Sequence, residues 1–389
     1  MNRTQYRNTW EIAARAAFEA DAVPDVADVC ARFAADAEVF KTSISCLVSM
    51  SSVPRCVASI MASPTVTSQI IQAVGTNFAS IDFTTPSLVE GLQTLQPALG
   101  LLLSMARQDP VAFDRAGGIK QLLEMAGTDA RPKQSGVAAA KQLDAFSQFI
   151  AAVTNILDRA SRSKAGLEAL MLRPNAELMI KIASINLMAA TTRTNLGALL
   201  VRDKRRSFTD PALLLAAALG SKVDTVNAHL EPAYRTLERI ARTDAGRDML
   251  LSASATYKLA HIMPTVLRMP AVAPLAMRLL ARLLGSNAVA LVDRIAGIAR
   301  PGEAAPELLE RVMCARLLAY LMRDREYSRA LAENDGALAR RVLEQVESEP
   351  LRSSEGAPSL VSALMHMAQA NTNNIVVLEE MGAIKKVME

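Results

Sequence analysis

Aromatic side chains make up only 4% of this 389-residue chain, and one of them, Trp10, is its sole tryptophan. Ala, Leu and Met dominate instead, with 18 methionines. Strand formers are therefore scarce and helix formers abundant, so the composition predicts an all-α fold. Histidine is scarcer still. His229, His261 and His366 stand far apart, which leaves neither a histidine metal cluster nor a Ser-His-Asp arrangement to read. The four cysteines, Cys30, Cys46, Cys56 and Cys314, show no CxxC spacing. A disulfide framework and a zinc site are both unexpected, and the thiols read as small buried hydrophobes in a reducing compartment. There is no GxxxxGK[ST] loop, no GxGxxG following a strand and no HExxH, so nucleotide and zinc-hydrolase chemistry has no residue to stand on. No cofactor, metal or catalytic residue is expected, and no enzyme.

Strong charge of one sign is also missing. The net charge of +4 is too small to mark a nucleic-acid protein by itself. No apolar run reaches the roughly 18 residues of a membrane span, so no membrane partner is expected. The first twenty residues lack the apolar core of a secretory signal. Arg3, Arg7 and Arg15 leave a mitochondrial address open, while Glu11, Glu19 and Asp21 oppose it. The expected setting is intracellular, cytoplasmic or cytoskeletal.

What is present is helical periodicity, and 51% hydrophobic residues suffice for a continuous core. The stretch from Ala98 to Gly127 is the clearest unit. Leu99, Leu102, Leu103 and Met105 recur at helical spacing, Asp109-Pro110 stops that helix and caps the next, and Gly117-Gly118 permits a second sharp turn before Ile119, Leu122 and Leu123. Helix, turn, short helix, glycine turn, helix is the order that results. The unit resembles the armadillo repeat, in which a long third helix precedes a short first helix and a second helix opening with Ile and Leu. Asn334-Asp335-Gly336-Ala337-Leu338 and Met381-Gly382-Ala383-Ile384 are similar to its glycine turn.

That resemblance implies a right-handed superhelical α-solenoid of divergent armadillo/HEAT-like repeats. Residues 1–42 are expected to form an N-terminal helical cap, with Trp10 as a packing anchor, and residues 43–389 the repeat array, bent near 203–210. Third-helix candidates lie at 136–160, 177–191, 232–242, 274–284, 308–322 and 360–370. The ridge positions Met105, Ile156, Met188, Ile240, Leu284, Leu321 and Met367 give about 44 residues per unit, as armadillo and HEAT repeats do.

Three features bear on function. Val57 to Ile81 carries no charged side chain, so it is either covered by neighbouring repeats or a partner's interface. The run Arg202-Asp203-Lys204-Arg205-Arg206-Ser207 forms a basic loop that reads either as a solvated loop or as a contact for phosphates or acidic protein. Finally Arg235 with Arg239, Arg278 with Arg282, and Arg316 with Tyr320 stand at i and i+4 on three successive helices. Stacked repeats would align these six into a concave groove that accepts an acidic extended peptide or a phosphate backbone. The opposing reading pairs the arginines with Glu238, Asp244 and Glu310. The expected function is a non-enzymatic scaffold, a constitutive protein–protein interaction subunit of a cytoskeletal or axonemal assembly. A helical-repeat subunit of an RNA-processing or ribonucleoprotein complex, with RNA as partner, is the alternative.

Overall fold

The computed structural model describes residues 12–127, 137–187, 227–298, 305–323 and 337–370, together with 375–376, 379–380 and 382; positions 14, 54, 84, 86, 186, 261, 268, 286, 287 and 355 are excepted. Every regular element among the described residues is an α-helix, as the scarcity of strand formers predicts. The chain divides into two compact units between Ile240 and Ala241.

The first unit runs α1 (Val23–Arg32), α2 (Ala37–Met50), α3 (Cys56–Ala62), α4 (Pro64–Ser80), α5 (Leu88–Gln108), α6 (Pro110–Arg115), α7 (Gly118–Gly127), α8 (Val137–Ala160), α9 (Lys164–Leu170), α10 (Arg173–Ala183) and α11 (Leu230–Ile240). Local chemistry sets the starts. Asp36 caps α2 by accepting from the Glu38 and Val39 amides, and Asp109 caps α6 by accepting from the Val111 and Ala112 amides at 3.0 Å each. A carboxylate there satisfies amides that have no partner inside the helix. Pro64 and Pro110 stand where a missing N–H costs nothing. Gly117, at φ 86°, supplies the left-handed residue between α6 and α7.

Packing then repeats with a period of three helices. α1 packs on α4, α4 on α7 and α7 on α10; α2 packs on α5, α5 on α8 and α8 on α11; α3 packs on α6 and α6 on α9. Three layers result: short helices, middle helices and long helices. The anchor unit is the order expected of it, with Leu99, Leu102, Met105, Phe113, Ile119, Leu122 and Leu123 all buried. Phe78 of α4 and Phe149 of α8 stack at 5.1 Å between ring centroids, tying the middle layer to the long one.

In the short layer α3, α6 and α9 start at 56, 110 and 164, 54 residues apart each time, whereas in the middle layer α1 and α4 start at 23 and 64. Val137–Ala160 is a long-layer helix as expected. The helix expected at 177–191 is instead α10, which ends at Ala183 and packs on the middle-layer α7. Its apolar stripe is as good as a third helix's, and periodicity alone cannot distinguish layers. The 42/43 boundary falls inside α2. Trp10, Met188, Asn334 to Gly336 and the 203–210 bend lie outside the described residues.

The second unit contains α12 (Asp244–Ser252), α13 (Ala255–Ala260), α14 (Met263–Val266), α15 (Ala273–Leu284), α16 (Ala288–Ile295), α17 (Leu308–Leu321), α18 (Ala337–Glu347) and α19 (Gly356–Ala370). α15, α17 and α19 match the expected helices, and α17 packs on both others. Arg294 on α16 pairs with Glu310 on α17 at 2.7 Å. Among the described residues no single helix is long and apolar enough to cross a membrane.

Candidate functional site

Asp158, near the end of α8, organises the region that the arginine pattern points to. Its side chain is 4% exposed, a burial that an ionised carboxylate tolerates only with close partners. It has three. Arg162 approaches Oδ2 at 3.2 Å, Arg235 approaches Oδ2 at 3.3 Å, and Arg239 approaches Oδ1 at 3.1 Å. Arg239 also donates to the Asp158 backbone carbonyl at 3.1 Å and to the Ser161 hydroxyl, while Arg235 pairs with Glu231 one turn before it. These bonds tie α8 to α11 along the long layer.

The structure thus brings Arg235 and Arg239 together, in service of a buried carboxylate rather than as open cations. Arg235 pairs with Asp158 and Glu231, and Arg239 with Asp158. Asp244 faces Arg247 at 3.3 Å and Glu310 faces Arg294. Arg278 and Arg282 are exposed on α15, and Arg316 and Tyr320 are half-buried on α17, all four in the second unit. Arg202, Lys204, Arg205 and Arg206 lie outside the described residues.

Asp158 escaped the sequence reading because it stands 77 residues from Arg235. A signal was present nonetheless. Leu157-Asp158-Arg159-Ala160-Ser161-Arg162-Ser163-Lys164-Ala165-Gly166 returns 80 residues later as Leu237-Glu238-Arg239-Ile240-Ala241-Arg242-Thr243-Asp244-Ala245-Gly246. Both copies do the same local work: Ser163 accepts from the Gly166 amide and Thr243 from the Gly246 amide, each at 3.0 Å. Equal caps at equivalent places start α9 and α12.

A second polar group is buried at the start of α11. His229 is fully buried, and its Nε2 stands 3.1 Å from the Ile185 carbonyl. Burial pushes its pKa down to about 4, against a smaller upward pull from that hydrogen bond. The neutral ring with the proton on Nε2 follows, donating to Ile185. Asn227 is also buried, and its Oδ1 accepts from the Leu187 amide at 3.3 Å. Burial raises the Tyr234 phenol far above its ordinary range. None of these side chains has the exposure that acid–base exchange with a substrate needs.

A groove of about 610 Å³ separates α2 from α5. Glu38, Lys41 and Ser45 line it from α2, and Glu90, Thr94 and Pro97 from α5. Pro97 lies inside α5 and has no N–H to offer the Gln93 carbonyl one turn earlier. This part of the long layer is mixed in charge, unlike the arginine-rich end.

Cys30, Cys56 and Cys314 are buried as expected, whereas Cys46 is exposed on α2. Burial raises the Cys56 thiol to about 11 and lifts Cys30 as well, so neither is a thiolate near neutrality. Among the described residues no three metal-ligating side chains converge. Compared with protein-family models and with curated proteins, the chain matches none.

Proposed function

We propose that this chain is an α-solenoid of divergent armadillo/HEAT-like three-helix units, and that it serves as a non-enzymatic scaffold holding proteins together in a larger assembly of the cytoskeletal or axonemal kind. The observation that carries this reading is the packing of every third helix through the first unit, with short-layer helices starting 54 residues apart. Helices stacked in this way bury one face on each neighbour and leave successive outer faces for partners. The Asp158 cluster supports it too, since its buried ion pairs fix one long helix against the next.

A protein partner is favoured over RNA. Arg235 and Arg239 are engaged by Asp158 and Glu231, which removes two of the cations a phosphate backbone would require. The exposed Arg278 remains suited to an acidic peptide. The test is recovery of the tagged full-length chain from its native cells at about 0.15 M salt, with and without nuclease. Stoichiometric protein partners that survive nuclease are expected. Partners lost on digestion would transfer the assignment to a ribonucleoprotein, and recovery of the chain alone would remove the scaffold reading.

A further inference from the structure

The middle layer contains one helix unlike its companions. α1, α7 and α10 each carry an exposed ion pair one turn apart: Asp28–Arg32 at 2.7 Å, Lys120–Glu124 at 3.9 Å and Arg173–Glu177 at 3.1 Å. That is how this chain finishes a helix that meets water. α4 lies in the same layer between α1 and α7, yet none of its 17 residues is charged. Burial by neighbouring helices accounts for only one face, where Ile70, Ile71, Val74 and Phe78 pack. Thr65, Gln72 and Thr76 on the other face are exposed. An exposed, charge-depleted helix face is the compositional mark of an interface core.

Beside this face runs a groove of about 690 Å³ between α4 and α6. Met61 and Ala112 line it with apolar surface, and Thr65, Gln69 and Gln72 with hydroxyl and amide groups. Arg115 is the only charged residue lining it and makes no ion pair among the described residues. Hydroxyls and amides both donate and accept, so they satisfy the N–H and C=O groups of an extended backbone. A guanidinium in otherwise neutral surroundings selects a carboxylate and repels a basic segment.

We propose that the α4–α6 groove is a docking site for an extended segment of a partner protein, uncharged except for one carboxylate that Arg115 receives. A second copy of this chain fits less well, because the groove offers no carboxylate to meet the Arg115 of its mate. The proposal rests on the scaffold reading and places one of its contacts on the short and middle layers, away from the long-layer arginines.

The test uses random dodecapeptides displayed against the full-length chain. Enriched peptides are expected to contain a single Asp or Glu and no Lys or Arg. Synthesised singly, they should bind about tenfold more weakly to Gln72→Glu and to Arg115→Glu, with helical content and unfolding midpoint unchanged. Replacing the peptide's acid by its amide should weaken binding to the natural chain and change nothing for Arg115→Gln. Failure to enrich such peptides, or binding indifferent to all three substitutions, overturns the proposal. Native partners still recovered with Gln72→Glu and Arg115→Glu would then leave the scaffold reading standing while removing this site from it.

Discussion

Asp158 is the buried carboxylate on which Arg162, Arg235 and Arg239 of the first unit converge. Replacing it by Ala removes a carboxylate from three guanidinium groups; Arg235 keeps Glu231, whereas Arg239, only 20% exposed, is left with no carboxylate among its described partners. Breaking a buried pair from one side costs about 3–5 kcal/mol, and the partial exposure of Arg162 and Arg235 places this case near the lower end. Asp158→Ala is expected to lower the urea midpoint and to speed amide exchange in α11, whereas Arg162→Ala, at the more exposed partner, should do little. His229 makes a pH-dependent contribution of definite sign. Its folded pKa of about 4 lies below the ordinary value of 6.5, so between the two the unfolded chain binds a proton that the folded chain refuses. Stability from this group is complete above pH 6.5 and is lost as pH falls towards 4. Between pH 7 and pH 5 the loss is about 2 kcal/mol. His229→Gln keeps a donor for Ile185 without titrating, so its unfolding free energy should fall less than the natural chain's over the same interval. Equal falls would show that another group carries the dependence.

Among the elements, α9 depends on a backbone approach that only glycine permits. A Cβ on Gly166 would stand 2.2 Å from the Ala160 carbonyl oxygen, and that oxygen belongs to the backbone. Gly166→Ala must therefore displace the α8–α9 turn, at a cost of about 1–3 kcal/mol. Ser163→Ala removes only the cap at the same turn, about 1 kcal/mol. Thermal unfolding should rank the two in that order. Gly100, where a Cβ meets nothing within 4 Å, serves as the control: Gly100→Ala is expected to stabilise α5 slightly.

For the whole chain, the three-helix period makes a deletion prediction. Removing residues 110–163, one full period, joins Asp109 to Lys164 and gives α9 the N-cap that α6 had. If the units are repeats, α5 then meets α11 in the place of α8, and the shortened chain should fold cooperatively with a smaller urea dependence. Removing 110–136 leaves the layers out of step and should abolish cooperative unfolding. A full-period deletion that behaves like the half-period one would show that the recurrence is not a repeat in the energetic sense.

Helix class, caps and the order of the anchor unit were legible in the sequence because each is a local matter. Asp109-Pro110, Gly117 and the apolar spacing from Leu99 to Leu123 act within a few residues of themselves. The layer of each helix was not legible, since α10 and a long-layer helix show the same stripe to a reader of periodicity. Only packing on α7 rather than α5 distinguishes them. Likewise the arginines at 235 and 239 were visible as a pattern, and their meaning was decided by Asp158, which reaches them across a chain separation that no local rule spans. Sequence alone determined the helical class and, at a cap such as Asp109, where a helix begins. Tertiary structure decided which faces are spent on one another, because burial and ion pairing depend on distances that the chain sets only when it is folded.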